Sequence, residues 1–445
     1  MILWAGLSAL GDSETPFDKG GTAGPGFNLA AAPPEVAAAA AATVDAAWRG
    51  AVEVLRQCSH AAGMNASAGK YGHCQVWARD SMIALLGGCT IDDARVRDAL
   101  HASIATLAGH QADSGCIPNN VDPATGNPNF RAYADGGLWF VIGSSLLHPD
   151  YVRIRRVLAW YECQDVDQSG LISMQESSDW QDLFCTRGQG LYVNCVYVLA
   201  LRRAAEVASR HDDPAGATRY TAAAERVQKQ INERFWYRGD GEMLRHVRHT
   251  FSTANLPHDS LGRKRWLPSK RLLAEESYYL PYLGFRAAGE WFDSLGNLMA
   301  IVAGVASPQQ AGTILDFIER HDLCGLPLRA IHPPVVPADP DWRDYYGELN
   351  QPHCYHNGGV WPFIGGFHVA ALVAAGRHDA AASALHRLAL LNREGSFNEW
   401  HHGITGEPLG VPGQAWSAGM YLYAGECVRR RHLVFFQPAP GSLAE

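Results

Sequence analysis

The stretch Gly136-Gly137-Leu138-Trp139-Phe140-Val141-Ile142-Gly143 carries no charged side chain on any face, and neither does Leu191-Tyr192-Val193-Asn194-Cys195-Val196-Tyr197. A helix that is apolar all round has to be enclosed by other elements. Other segments, such as 214–236, combine an apolar stripe of helical period with a charged outer face. Enclosed and amphipathic helices alternate along the chain, and a double ring of inner and outer helices satisfies both kinds.

Helical periodicity covers 35–60, 77–88, 91–109, 135–148, 150–163, 189–209, 214–236, 275–289, 292–304, 308–321, 357–376, 378–392 and 413–430. Punctuation agrees with it: Asp92-Asp93 and Ser307-Pro308 open helices, and Gly376 closes one. Alternating β signals are sparse, Leu433-Val434-Phe435-Phe436 being a short one. No fixed-period repeat is visible, which argues against a solenoid. The predicted fold class is all-α, a double ring of about twelve helices in one unit over 35–432, with an N-terminal extension over 1–34 and a tail over 433–445.

Charge excludes several functions. The net charge of −8 and the absence of long Lys/Arg runs argue against nucleic acid; Arg429-Arg430-Arg431 reads as a solvated helix end. No apolar run reaches the roughly 18 residues that a membrane span needs. None of the 10 cysteines forms a C-x-x-C pair, so neither a zinc site nor a redox motif is indicated. The apolar opening Met1-Ile2-Leu3-Trp4-Ala5-Gly6-Leu7 lacks a basic leader, and a cytoplasmic protein is expected. Formation of a homo-oligomer stays open.

The long loops at 110–134, 164–188, 237–274, 322–358 and 393–412 are rich in Trp, Gly, Asn and Asp. Loops of this length in a compact domain are usually functional. Aromatic faces suit the CH faces of sugars, and carboxylate, amide and guanidinium groups suit their hydroxyls, so the expected partner is a small carbohydrate. In Val76-Trp77-Ala78-Arg79-Asp80, Arg79 and Asp80 form a donor–acceptor pair for vicinal hydroxyls, unless Asp80 only caps its helix. Asp135, at the mouth of the apolar helix that contains Trp139, poses the same choice.

Glu176-Ser177-Ser178-Asp179-Trp180-Gln181-Asp182 packs three carboxylates and a Trp into one short stretch. Like charges this close raise at least one pKa in a poorly solvated site, as a general acid requires. Asp165, Asp167, Ser169 and Glu176 also match calcium-loop spacing, although the flanks are not an EF-hand helix pair. His353 and His356 lack a clear third ligand, so no metal is assigned there. His356, Asn357 and Trp361 read as hydroxyl contacts or packing, and Gln414 and Trp416 follow in the same manner. Glu399, between aromatics and histidines, could act as base or nucleophile opposite the acid.

These motifs together resemble the alkaline/neutral invertases of glycoside hydrolase family 100 and, more loosely, the bacterial amylo-α-1,6-glucosidase and glycogen-debranching group. The matching stretches are Phe292-Asp293-Ser294-Leu295-Gly296-Asn297-Leu298, Ser307-Pro308-Gln309-Gln310, Tyr355-His356-Asn357-Gly358-Gly359-Val360-Trp361-Pro362, Glu399 with Thr405-Gly406, Gln414-Ala415-Trp416, Val76-Trp77-Ala78-Arg79-Asp80 and Asp135-Gly136-Gly137-Leu138-Trp139. The resemblance implies an (α/α)6 barrel and a glycoside hydrolase with two carboxylates across the glycosidic bond. By position Glu399 matches the second carboxylate, and Asp182 the acid, with Asp179 the alternative. Arg79, Asp80, Trp77, Asp135, Trp139, Trp180, His356, Asn357, Trp361, Gln414 and Trp416 would bind the terminal sugar. The implied reaction is exo-acting hydrolysis of a short α-glucoside with release of glucose, without a cofactor and with inversion. Sequence after the acid, from Leu183 to Gly188, differs from the plant invertases, so sucrose is an alternative substrate. A sugar epimerase or isomerase using His73, His353, His356, His401 or His402 is a further alternative, as is a non-catalytic glycan-binding protein.

Overall fold

A computed structural model describes residues 34–69, 72–237, 276–284, 287–392 and 395–436. The expected extension over 1–34, apart from Pro34, lies outside the described residues, as do 437–445 and nearly all of the 237–274 loop. Among the described residues there are twelve α-helices: α1 (Pro34–Cys58), α2 (Ala78–Gly88), α3 (Ala94–Gly109), α4 (Gly136–Leu147), α5 (Tyr151–Glu162), α6 (Leu191–Arg210), α7 (Pro214–Arg234), α8 (Ser294–Val302), α9 (Pro308–Arg320), α10 (Pro362–Ala374), α11 (His378–Leu391) and α12 (Ala415–Arg430).

The even-numbered helices form a closed inner ring. Each packs on the next, from α2 through α4, α6, α8 and α10 to α12, and α12 packs back on α2. Every residue of α2, α4 and α8 is buried, because these helices meet neighbours on all sides. The odd-numbered helices lie outside with one face buried; α9 buries Ala311, Ile314, Leu315, Phe317 and Ile318. The first helix among the described residues, α1, packs on α11 and α12. This is an (α/α)6 barrel. Close approach of the inner helices uses glycine: a Cβ on Gly87 of α2 would overlap the Gly419 backbone of α12.

The expected helix starts hold where local chemistry dictates them. Asp93 accepts from the Val96 N–H, and Ser307 and Gln310 form a reciprocal capping box at α9. Gly376 follows α10 with a φ of +72°. The helix expected over 275–289 is a correction. Tyr282–Leu283 instead pairs antiparallel with Gln189–Gly190, and Tyr279 bridges to Trp236. Pro281 removes a helical donor within this run, and the buried tyrosines 278, 279 and 282 supply its apolar period from an extended chain. The β signal at 433–436 forms no strand: Leu433, Val434 and Phe436 are buried, and the Tyr423 hydroxyl donates to the Val434 carbonyl at 2.7 Å.

Short extended pairs introduce the inner helices. Val76–Trp77 pairs with Asn120–Val121 before α2, and Phe292–Asp293 pairs with Ile331–His332 before α8. Three buried asparagines pin these loops. Asn194 accepts from the Ile172 N–H at 2.8 Å and donates to its carbonyl at 3.1 Å. Asn297 does the same to Tyr279, and Asn357 does the same to Val335. Each amide substitutes for a missing strand neighbour, satisfying buried backbone groups that have no ladder.

Candidate active site

The N-terminal ends of the inner helices converge on one cluster of side chains. Arg79 and Asp80 lie in the first turn of α2, Asp135 immediately precedes α4, Asp293 precedes α8, Trp361 precedes α10, and Trp416 opens α12. Neither Asp80 nor Asp135 caps its helix: Trp77 holds the N-cap position of α2, and the Asp135 side chain makes no cap bond. Helix N-termini carry partial positive charge, which favours carboxylates gathered there.

Arg79 organises the floor. Its Nη1 lies 3.2 Å from both oxygens of Asp135, and its Nε lies 3.7 Å from Asp80 Oδ2. Its guanidinium sits 5.6 Å from the centre of the Trp416 ring. The Tyr192 hydroxyl donates to Asp135 at 3.1 Å and accepts from the Trp139 indole at 2.8 Å. Burial pushes Arg79 towards neutrality, but Asp135 and Asp80 outweigh it and keep the guanidinium charged. Burial also lifts Asp80 to about 6 against the pull of Arg79.

Asp182 and Glu399, on separate loops, are the half-buried carboxylates of this cluster. Burial raises Asp182, against the opposing charges of Arg79 and Arg131. Burial raises Glu399 too. The Val411 N–H, at 3.2 Å from Oε2, and His73 pull it back, and the charge of Asp182 pushes it further up. The two carboxyls are therefore within electrostatic reach of each other. The Tyr355 hydroxyl donates to Glu399 Oε1 at 3.5 Å from a backbone with φ of +43°. Non-glycine residues held in this region tend to cluster at functional sites.

Asp179 is placed differently. It is 1% exposed, its Oδ1 accepts the Gln181 N–H at 2.8 Å, and burial together with the charge of Asp135 raises it well above the usual carboxylate range. The bond to Gln181 shapes the turn that presents Asp182.

The aromatic wall is made by Trp180, His356, Trp361, Phe363 and Trp416. His356 stacks on Trp361 with ring centres 5.2 Å apart, Trp180 meets His356 edge-on at 5.1 Å, and Phe363 stacks on Trp416 at 4.0 Å. The buried indole N–H groups of Trp77, Trp180 and Trp416 have no hydrogen-bond partner among the described residues; Arg79 Nε and Asp80 Oδ2 are in the same condition. Buried polar atoms are normally satisfied, and an array of ligand hydroxyls supplies both donors and acceptors for such a set.

Several expected binding residues have framework roles. Asn357 donates both amide hydrogens, to the carbonyls of Val335 and Asn350, and accepts from Val335, which corrects its expected contact with substrate. Trp139 is fully buried and acts through Tyr192. Gln414 donates to the Val411 carbonyl at 3.3 Å, bracing the loop that carries the Glu399 partner. The histidines are used likewise. His401 bonds the Gly406 carbonyl, His402 takes the Ile404 and Thr405 N–H groups, and burial holds His356 well below its ordinary range. Sequence reasoning did not select Tyr192, Tyr355 and Asp293 for the site.

Of the residues with calcium-loop spacing, Asp167 and Ser169 share the Gln189 amide, and Glu176 has other partners. Glu176 lies against Arg343, Arg187 and Tyr345, whereas Asp167 faces Gln189 and Arg234. Among the described residues no group of three or more His, Cys, Asp or Glu side chains is arranged to hold a metal ion. No helix among them is long and apolar enough to cross a membrane.

A sequence profile described as alkaline and neutral invertase matches residues 182–430, more than half of the chain, and includes both Asp182 and Glu399. The chain belongs to the alkaline and neutral invertase family. A second profile, the bacterial alpha-L-rhamnosidase 6 hairpin glycosidase domain, matches residues 94–257. Among relatives of this invertase-family chain, neutral/alkaline invertase 1, mitochondrial, of Oryza sativa subsp. japonica is 27% identical over 345 residues, covering 68% of this chain and 52% of the relative. Probable alkaline/neutral invertase D of Arabidopsis thaliana is 33% identical over 142 residues, 30% of this chain and 26% of the relative. The family chain thus spans about half the length of its rice relative and about a quarter of the other's. Two solved structures share the fold. The GH63 mannosylglycerate hydrolase from Thermus thermophilus, in complex with Tris and D-glycerate, gives a TM-score of 0.60 at 17% identity, covering 84% of this chain and 99% of that one. A bacterial glucoamylase complexed with acarbose gives 0.57 at 16%, covering 88% and 56%.

Proposed function

We propose that this invertase-family chain is an exo-acting glycoside hydrolase that releases terminal glucose from a short α-glucoside. Asp182 protonates the leaving oxygen, and Glu399 activates a water on the opposite face of the sugar. The observation that carries this reading is the pair itself: two half-buried carboxyls, each raised by burial, with Glu399 raised further by the charge of Asp182. The roles follow from position: Asp182 matches the acid and Glu399 the second carboxylate of the family that the sequence resembles. Asp182 is preferred to Asp179 as the acid because a group that protonates substrate must be reached by it, and Asp179 is 1% exposed.

Arg79, Asp80 and the unpaired indole donors bind the hydroxyls of the terminal ring, and the wall of Trp180, Trp361 and Trp416 excludes water. Tyr355 orients Glu399. A general base that activates water needs a gap between the carboxyls of roughly 6.5–9.5 Å, which accompanies inversion. Sucrose, itself a short α-glucoside, is the specific reading favoured by the invertases among the relatives.

The test is a glucose-release screen over sucrose, isomaltose, trehalose, kojibiose, maltodextrins, glucosylglycerol and glucosylglycerate, with the anomer of fresh product read by NMR. Release of β-glucose from one of them supports the reading. Release of α-glucose contradicts inversion, and release from none contradicts the substrate class.

A further inference from the structure

Glu176 lies six positions before Asp182 and bonds to none of the groups that form the sugar-facing floor. It is half-buried and meets four donor groups. Arg343 reaches both its oxygens at 2.9 Å, Tyr345 donates at 2.9 Å, and Arg187 approaches at 3.4 Å. These contacts keep the Glu176 carboxyl below its ordinary range despite its burial, so it stays an anion. Arg187 also reaches Asp341 at 3.2 Å.

The donors Arg343 and Tyr345, and the acceptor Asp341, belong to one segment, 341–350. That segment touches the acid-bearing loop at two further points. The Tyr346 hydroxyl accepts the Cys185 N–H at 3.2 Å while its ring stacks on Phe184. The Asn350 amide donates at 2.9 Å to the carbonyl of Leu183, the residue next to Asp182. The acid loop closes on itself through Ser177 N–H and the Thr186 carbonyl at 3.1 Å, with Ser177 at φ of +61°. A loop with so little regular structure owes its position to what covers it. Paired arginine–carboxylate bonds fix orientation as well as distance.

We propose that Glu176 and Arg343 are positioning residues for the general acid: their clasp docks the 341–350 segment on the 176–187 loop and fixes where the Asp182 carboxyl meets the leaving oxygen. The inference rests on the reading of Asp182 as the acid. Misplacement of a reacting group by about 1 Å can cost roughly 10²-fold in rate, so the clasp matters through geometry even where its half-exposed ion pairs add little stability.

The experiment compares Glu176→Gln and Arg343→Lys with the unaltered chain on two substrates. One is the α-glucoside identified by the glucose-release screen, whose leaving group needs a proton. The other is α-glucosyl fluoride, whose leaving group needs little acid assistance. The clasp predicts a loss of about 10- to 100-fold in kcat/KM on the glucoside and less than about 3-fold on the fluoride, since only acid catalysis is impaired. Arg343→Lys keeps the charge but not the planar fork, and it retains the fold should Glu176→Gln weaken it. Equal losses on both substrates, or no loss on either, overturn the proposal. An unaltered chain that cleaves the fluoride and no glucoside overturns instead the acid assignment beneath it.

Discussion

Arg79 Nη1 stands 3.2 Å from each carboxylate oxygen of Asp135, with Arg79 4% exposed and Asp135 fully buried. The pair joins the first turn of α2 to the start of α4, and through Tyr192 it reaches α6. Removing one partner of a buried ion pair strands the other charge, at a cost of about 3–5 kcal/mol. Asp135→Asn is accordingly expected to lower unfolding stability by about 3 kcal/mol, Asp80 remaining as a weaker partner at 3.7 Å. A urea titration checks this, and a loss below about 1 kcal/mol would show that the pair is no keystone.

Gly410 sits against the proposed base. Its φ is +69°, and a Cβ built there lies 2.6 Å from Glu399 Oε2. Gly410→Ala should displace the carboxylate, reducing kcat by roughly 10²-fold with little change in KM, because the water-activating group moves while sugar contacts stay. Kinetics on the glucoside decide it; an equal change in KM would place the damage in substrate binding.

Asp293 lies fully buried beside the site, where burial raises its pKa to about 7. A carboxyl raised in the folded state binds its proton more tightly there than in the unfolded chain. Its contribution is fully present below the unfolded value near 4 and is lost as pH climbs through about 7, an upper bound of about 4 kcal/mol. Asp293→Asn keeps the cap that Oδ2 gives the Gly296 N–H. The substituted chain should therefore lose less stability than the unaltered chain between pH 4 and pH 7. Parallel melting curves across that range would contradict the assignment.

Activity should depend on pH as a bell, because Asp182 must carry a proton while Glu399 must not. Burial raises both carboxyls, so the acid limb lies above the ordinary carboxylate range. Asp182→Asn removes the group whose ionisation ends activity at high pH. With α-glucosyl fluoride as substrate, this variant should lose the alkaline limb and keep its acid limb in place, because Asp182 is uncharged while Glu399 ionises in the active form. An alkaline limb that persists would show that Asp182 is not the acid.

Much of this was legible along the chain. Segments apolar on every face, in α4 and at the start of α6, announced an enclosed ring, and Asp93, Ser307 and Gly376 set local boundaries that tertiary structure left unchanged. What failed depended on contacts distant in sequence. The aromatic run near Tyr282 has a helical apolar period, but its partner strand at Gln189–Gly190 lies about 90 residues earlier. Spacing alone could not separate Asp179 from Asp182, since the difference is burial. Asn357 stood in a distinctive motif yet clamps Val335, and Tyr192 lay hidden in an apolar helix until Asp135 came into view across the ring.

The assignment of the chemistry to Asp182 and Glu399 is tested by kcat/KM for Asp182→Asn and Glu399→Gln, each confirmed folded by circular dichroism, on the substrate that the screen identifies. Each substitution should reduce turnover by at least about 10²-fold, the usual worth of a positioned acid or base. Retention of activity within about 10-fold in both variants would contradict the account.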